Sequence, residues 1–390
     1  MLVTLVYDKC VFMKAPFDYG KVITIDFFTN RTKEIKRLEQ NFINGVNTIL
    51  ISPRRWGKSS LVKNTAEKLV QKNKKFKVVF IDLFNVLNEE EFYNEIAYET
   101  IKCTATKLEG WVENSIKFLS KFKPSIGLSN DPLVAFDLQL SLTETPKNFK
   151  DILDLPERIA VEKNIHLIVC IDEFQNVEKF SSDALALQKK MRAQWQHHHH
   201  VTYCLYGSKR HLMMALFEKQ SMPFFKFGDT FYLEKIKEEH WLPYIQKQFL
   251  QTHKSISEEL CSQIVRLMQE HPYYVQQLCQ LVWLNTTKKA TPDILATSIA
   301  DLMDRNNALF QRDFEMLTST QVNYLKAMLH GETAFSSKEV LQRYNMGTSA
   351  NIQRVVRALE DKEIINKLGK TIEFADPAFA LFLKSIYHIS

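Results

Sequence analysis

Apolar positions along this chain follow two regimes in succession. Between Asn47 and Leu233, short continuous apolar runs alternate with stretches spaced for amphipathic helices. Thr48–Ile51 is a short apolar run that ends at a loop. Ser59–Gln71 then carries apolar residues at 61, 62, 66, 69 and 70, the spacing of one helix face. Lys77–Leu83 and Leu167–Ile171 are continuous and rich in β-branched residues, as in strands buried on both faces. Val201–Tyr206 and Thr230–Leu233 read as further strands, with helices over Glu89–Thr106 and Asp183–Gln196. This alternation predicts an α/β fold with a doubly wound parallel sheet. Pro124–Ser141 interrupts it. There Ile126–Leu128 and Val134–Leu140 flank Ser129-Asn130-Asp131-Pro132 and predict an inserted hairpin near 124–141.

After Leu233 the strand signal stops. Glu238–Gln251, Ser257–Gln269, Pro272–Leu284 and Pro292–Phe310 all have helical spacing and predict an all-α subdomain. Ser319–Leu329, Ser336–Tyr344 and Ser349–Asp361 read as three shorter helices. Ile364–Leu368 and Thr371–Phe374 then flank Gly369-Lys370, a two-residue hairpin turn. Three helices followed by a hairpin describe a winged helix-turn-helix. The expected divisions are an N-terminal segment 1–27, an α/β core 28–235, a helical subdomain 236–314 and a winged-helix domain 315–390.

Composition narrows the class. The 390 residues are 45% hydrophobic and 25% charged, which excludes disorder as the main state. No apolar run approaches the roughly 20 residues needed to cross a bilayer. Met1–Val6 is cut short by Asp8 and Lys9, which argues against a secretory signal. The six cysteines include no Cys-x-x-Cys spacing, so neither a disulfide framework nor a zinc site is indicated. These features describe a reduced, soluble, cytoplasmic protein with no membrane contact. The net charge of +6 is mild, and much of it lies between Arg54 and Lys77, where nine Lys/Arg face one acid, Glu67. That stretch reads as a solvated face.

The candidate chemistry starts at Ser52-Pro53-Arg54-Arg55-Trp56-Gly57-Lys58-Ser59, which follows the first strand and opens a helix. The spacing matches a P-loop, with Ser52 in place of the first glycine. Gly57 permits the backbone turn that points successive N–H groups at phosphate oxygens, and the helix N-terminus adds its dipole. Lys58 suits the β- and γ-phosphates, and the Ser59 hydroxyl suits Mg2+. Trp56 reads as packing over the loop or as stacking on a base. Farther on, the apolar strand 167–171 runs into Asp172-Glu173, a Walker B pattern. There Asp172 would orient Mg2+ through water and Glu173 would polarise the attacking water. The strand 201–206 ends at Gly207-Ser208-Lys209-Arg210. Ser208 could touch the γ-phosphate or the water. Arg210 reads as a charge-stabilising finger, in cis or to a neighbour, or as a surface residue at a helix start.

Assembled, these residues resemble the archaeal-type ATPase family, a branch of the AAA+/STAND P-loop ATPases. The resemblance runs from about Pro16 to the C-terminus. It rests on Asn30-Arg31 with Glu34, on Pro-Arg-Arg-Trp-Gly-Lys-Ser-Ser-Leu at 53–61, on Ile-Asp-Glu-Phe-Gln at 171–175, on Gly-Ser-Lys-Arg at 207–210 and on His-Pro-Tyr-Tyr-Val-Gln at 271–276. It implies a P-loop NTPase core of the AAA+/ASCE type, a helical lid and a C-terminal winged helix, with ATP and Mg2+ as cofactors. It also implies that Arg31 and Ser60 belong to the nucleotide site and that Pro272 lies near the base. Two departures stand out: Ser52, and Glu270 where the lid glycine usually is. Residues 1–12 precede the family pattern and read as an extension or a misplaced start.

Two features have a plain and a sharper reading. His197–His200 is a structural or solvated turn after a helix, or a metal site. The winged helix presents Arg354 and Arg357 for DNA, or packs on the ATPase core as a switch element. Residues 315–390 hold nine Lys/Arg and eight Asp/Glu, a weak electrostatic grip on DNA. The leading expectation is a nucleotide-driven conformational switch that binds and hydrolyses ATP. The alternatives are a DNA-binding regulator or initiator-like protein with slow or vestigial ATPase, and a scaffold holding ADP. A protein partner or a homo-oligomer fits either.

Overall fold

The five strands expected in the α/β half form one parallel sheet in the order β2-β3-β4-β1-β5. They are β1 Thr48–Ile51, β2 Phe76–Asp82, β3 His166–Asp172, β4 Val201–Gly207 and β5 Asp229–Tyr232. The computed structural model describes residues 14–22, 29–104, 149–369 and 371–389. The hairpin expected near 124–141 and the segment 1–12 lie outside the described residues.

Every residue of β1 and β4 is buried, as a central parallel strand with both faces covered requires. One face carries Ile49, Ile51, Val79, Ile81, Val169, Ile171, Tyr203 and Leu205. It packs against α3 Glu89–Thr104, α5 Leu155–Lys163, α6 Ala184–Trp195 and α7 Arg210–Phe217, with the short α4 Phe149–Leu153 alongside. The alternate residues, among them Leu50, Ile168, Cys170 and Cys204, point the other way. That face is covered by α2 Lys58–Lys72, against which α1 Thr32–Ile43 lies. The register brings the carboxyl ends of the strands level. Ile51 stands between Gly207 and Tyr232, and Asp172 stands beside Asp82. Ser52, Glu173 and Ser208 therefore leave the sheet along one edge, where ligands of open α/β sheets bind.

The chain divides into two compact units, residues 31–234 and residues 235–389, the latter with the described residues before Arg31. The second is helical apart from one hairpin. It holds α8 Glu238–Gln251, α9 Glu258–Leu267, α10 Pro272–Asn285 and α11 Pro292–Glu315. These are followed by α12 Ser319–Leu329, α13 Lys338–Arg343 and α14 Ser349–Asp361. The antiparallel pair β6 Ile365–Leu368 and β7 Thr371–Phe374 comes next, then α15 Pro377–Tyr387. One continuous core runs through the unit, from Trp241 and Ile264 to Val355 and Leu383. The far end of α11 joins it, with the Phe310 ring 5.6 Å from Phe379 and 5.4 Å from Phe382. Phe17 is fully buried in the same core, and Gln280 donates to its carbonyl at 2.9 Å. The described part of the N-terminal segment thus packs with the helices that follow residue 235.

The two replaced glycines differ. Ser52 has no positive φ, whereas Gln269 and Glu270 are both left-handed, at φ 50° and 59°. The position where the resemblance expects a lid glycine is one where a glycine conformation is used. Glu270 holds it while its carboxylate accepts from the Glu238 N–H at 2.8 Å, the first residue of α8.

Candidate functional site

The loop between β1 and α2 is shaped by two left-handed residues, Arg55 at φ 64° and Gly57 at φ 93°. Gly57 caps α2, so Lys58 and Ser59 begin the helix at its positive end. Ser52 is fully buried and its hydroxyl donates to the Pro53 carbonyl at 3.0 Å. A serine fits because the turn off β1 asks for no glycine conformation there. Trp56 is 4% exposed, so its ring is spent on packing. Arg54 and Arg55 are exposed, while Pro53 and Ser60 are buried. Arg31, the cap residue of α1, is buried too. Its Nη2 donates to the Trp56 carbonyl at 3.2 Å and its Nη1 pairs with Glu34 at 3.1 Å. Burial lowers its pKa, offset in part by Glu34. In this structure Arg31 holds the loop by its backbone.

Lys58, Ser59, Asp172, Glu173 and Ser208 come together at the edge of the sheet. Lys58 Nζ lies 3.0 Å from Glu173 Oε1 and 3.5 Å from Asp172 Oδ1, with its side chain 9% exposed. The Ser59 hydroxyl donates to Asp172 Oδ2 at 2.6 Å, and the Ser208 hydroxyl donates to Glu173 Oε2 at 2.8 Å. The Glu173 N–H returns to Asp172 Oδ1 at 2.8 Å. The two acids feel opposite balances. Burial pushes the Asp172 pKa up, and Lys58 and Ser59 offset this only in part. Burial also pushes Glu173 up, but Lys58, Ser208 and Gln175 outweigh it and the net direction is down.

A serine hydroxyl and a carboxylate converging at a helix N-terminus are hard oxygen donors of the kind Mg2+ takes. The backbone turn at Gly57 and the Lys58 ammonium suit a polyphosphate. The arrangement can bind a nucleotide's phosphates and hold a carboxylate beside them.

Arg210, the first residue of α7, lays its guanidinium over the Tyr232 ring at 4.3 Å. The Tyr232 hydroxyl donates to Glu218. Pro272 opens α10 in the other unit. His198 bridges the Tyr203 hydroxyl at 2.9 Å and Asp154 at 3.2 Å, and His200 pairs with Glu157 at 2.9 Å. These contacts tie His198 and His200 to neighbouring side chains, and among the described residues no group of three or more His, Cys, Asp and Glu is gathered as a metal site. Likewise no described helix is long and apolar enough to cross a membrane.

Sequence reasoning gave Gln175 no role. In the structure it is 1% exposed and its Nε2 donates to Glu173 Oε2 at 2.5 Å. The signal in Asp172-Glu173-Phe174-Gln175 is the amide two residues past the second acid. The kink that turns Gln175 back is Glu173 itself, left-handed at φ 52° and followed by a 3-10 turn over Phe174–Lys179.

Residues 28–288 match a family described as an ATPase domain predominantly from Archaea, and residues 308–385 match a probable winged helix domain. No curated protein matches the chain. Among solved structures, a Walker-type ATPase of Pyrococcus abyssi is similar at TM-score 0.63 and 18% identity, over 95% of this chain and 99% of that one. The ORC2 protein of Aeropyrum pernix, solved in ADPNP–ADP complexes, is similar at TM-score 0.58 and 13% identity, over 97% and 99%. At these identities the likeness establishes the fold: a P-loop ATPase core on a parallel sheet, followed by helices and a winged helix.

Proposed function

We propose an ATP-hydrolysing conformational switch for this chain, which belongs to the family of ATPase domains found predominantly in Archaea. The observation that carries the reading is the Lys58 ammonium shared between Glu173 and Asp172 at the opening of α2. A buried ammonium held by two carboxylates can exchange them for phosphate oxygens. On nucleotide binding Lys58 turns to the β- and γ-phosphates and leaves Glu173 Oε1 without its cation. Ser59 and Asp172 would hold Mg2+, which supplies charge neutralisation across the β- and γ-phosphates. Glu173 Oε1 then accepts a proton from the water whose oxygen attacks the γ-phosphorus. The bond to the bridging oxygen breaks, and ADP and phosphate leave. Ser208 keeps the other carboxylate oxygen in place. Ser52–Ser60 cradle the phosphates, and Arg31 holds that loop.

The switch part of the reading is supported by the second unit. Its helices and winged helix share one core, and Lys235, beside the junction with the ATPase core, pairs with Glu373 of the wing at 2.7 Å. Lid and wing therefore respond to nucleotide as one body. Phosphate release by the purified protein, compared with Lys58→Ala, tests hydrolysis. Equal rates in the two proteins would contradict it.

A second reading, duplex DNA binding by the winged helix, has one observation in its favour. Gln353, Arg354 and Arg357 are exposed on α14, and neither arginine is in an ion pair among the described residues. Neutralising both arginines would reduce the salt slope of DNA affinity by about two phosphate contacts. No salt-dependent binding at all would leave only the switch.

A further inference from the structure

We propose that Gln175 is the positioning residue of the hydrolytic step, holding the Glu173 carboxylate still while Lys58 departs. The inference rests on the hydrolytic reading above. Glu173 divides its two oxygens between different tasks. Oε1 faces the Lys58 ammonium at 3.0 Å. Oε2 receives two neutral donors, Ser208 Oγ at 2.8 Å and Gln175 Nε2 at 2.5 Å. When a nucleotide takes Lys58, the carboxylate loses the one cation that lies within salt-bridge distance of it among the described residues, and keeps the two neutral donors on Oε2. A free carboxylate would rotate after the ammonium or toward the metal side. The two donors on Oε2 prevent this and leave Oε1 as the one open acceptor, the oxygen that must take the proton.

Packing alone does not explain a glutamine here. Gln175 is 1% exposed, and its Oε1 is buried without a hydrogen-bond partner among the described residues. A leucine or methionine would fill similar volume with no buried acceptor left over, so the amide is retained for its N–H at a cost in stability. The surroundings are built for it. A Cβ on Gly207 would stand 2.0 Å from Gln175 Oε1 and 2.7 Å from Met213 Sδ. Gly207, at the end of β4, makes room for the amide, and the next residue, Ser208, supplies the second donor to the same oxygen. Adjacent residues of one strand end thus serve the Glu173 carboxylate in two ways.

The test compares Gln175→Leu and Gly207→Ala with the wild type and Glu173→Gln. Each is measured for melting temperature, affinity for a fluorescent ATP analogue and single-turnover ATP hydrolysis. Gln175→Leu and Gly207→Ala should keep affinity within about two-fold, since neither touches a group assigned to the phosphates. Their hydrolysis should fall by roughly 100-fold, the cost of misplacing a reacting group by about 1 Å. In a Glu173→Gln background, adding Gln175→Leu should change the residual rate no further, because Gln175 acts through Glu173. Wild-type rates in either folded variant would overturn the proposal. So would an additional rate loss in the Glu173→Gln background, or affinity and melting temperature falling together with the rate in both variants. If instead wild type and Glu173→Gln hydrolyse alike, the hydrolytic reading itself fails and Gln175 has no base to position.

Discussion

The two ends of strands β3 and β4 each gather a network of polar side chains and use it differently. At the amino ends, the Glu157 carboxylate accepts from the backbone N–H of His199 at 3.1 Å and of His200 at 2.9 Å, as well as from the His200 ring. His198 is fixed between the Tyr203 hydroxyl and Asp154, and His166 meets the Thr202 hydroxyl at 2.7 Å. Much of this network ties side chains to a turn of backbone. At the carboxyl ends the partners are almost wholly side chains satisfying one another, with one ammonium serving two acids. A network anchored to backbone can only be broken. A network of side chains around a shared charge can be exchanged for a ligand with the same charges, which is what separates a structural knot from a binding site.

The largest expected effect comes from the shared charge. Lys58→Ala removes the positive partner of the phosphates and should weaken fluorescent ATP-analogue binding by at least about 100-fold, or roughly 2.7 kcal/mol. Retained affinity would mean that the loop amides alone hold the nucleotide. The matching change at the other end is His198→Gln. It should leave nucleotide affinity and hydrolysis unchanged while costing about 1–2 kcal/mol of stability from two disturbed buried hydrogen bonds, read from urea midpoints. A loss of hydrolysis without loss of stability would break the comparison.

The same end sets a pH dependence. Burial lowers the pKa of His198, against the raising effect of Asp154 and Glu157, and burial with nearby His200 lowers that of His166. Both are lowered relative to the unfolded chain, near 6.5. The unfolded state therefore takes up protons first, and stability present above about pH 6.5 is lost as the pH falls toward the folded values. Urea midpoints should decline from pH 7 to pH 5, and His198→Gln should flatten the decline. A rising midpoint over that range would reverse the assignment. The smallest effects belong to the exposed members of the run. His197→Ala and His199→Ala should each stay within about 0.5 kcal/mol of wild type, and added Zn2+ should not raise the melting temperature.

Which of these features could be read from the sequence follows from how local their causes are. Gly57-Lys58-Ser59, Asp172-Glu173 and Ser208 were legible because each sits where an apolar run meets a polar turn, and the parallel register brings those turns together. Helices with a clear polar face, such as Glu238–Gln251 and Ser349–Asp361, have the bounds their spacing predicts. The helix Pro377–Tyr387 was not anticipated, because Pro-Ala-Phe-Ala-Leu-Phe-Leu shows no polar stripe against which a 3.6-residue period stands out. Phe17 gave no local sign of its place in the core of the second unit, a contact made across more than two hundred residues. Gln175 was invisible for a third reason. Its role depends on a left-handed Glu173 and on the absence of a Cβ at Gly207, neither of which a residue-type pattern expresses.

The central claim is that the carboxyl-end cluster separates phosphate holding from water activation. Glu173→Gln keeps size and hydrogen bonding while removing the base. Fluorescent-nucleotide affinity and single-turnover hydrolysis, measured on this one variant, test the claim directly. Affinity should stay near wild type and hydrolysis should fall by roughly 10²–10⁴-fold. If Glu173→Gln instead loses affinity as severely as Lys58→Ala, Glu173 is part of the phosphate grip and the assignment of the base is wrong.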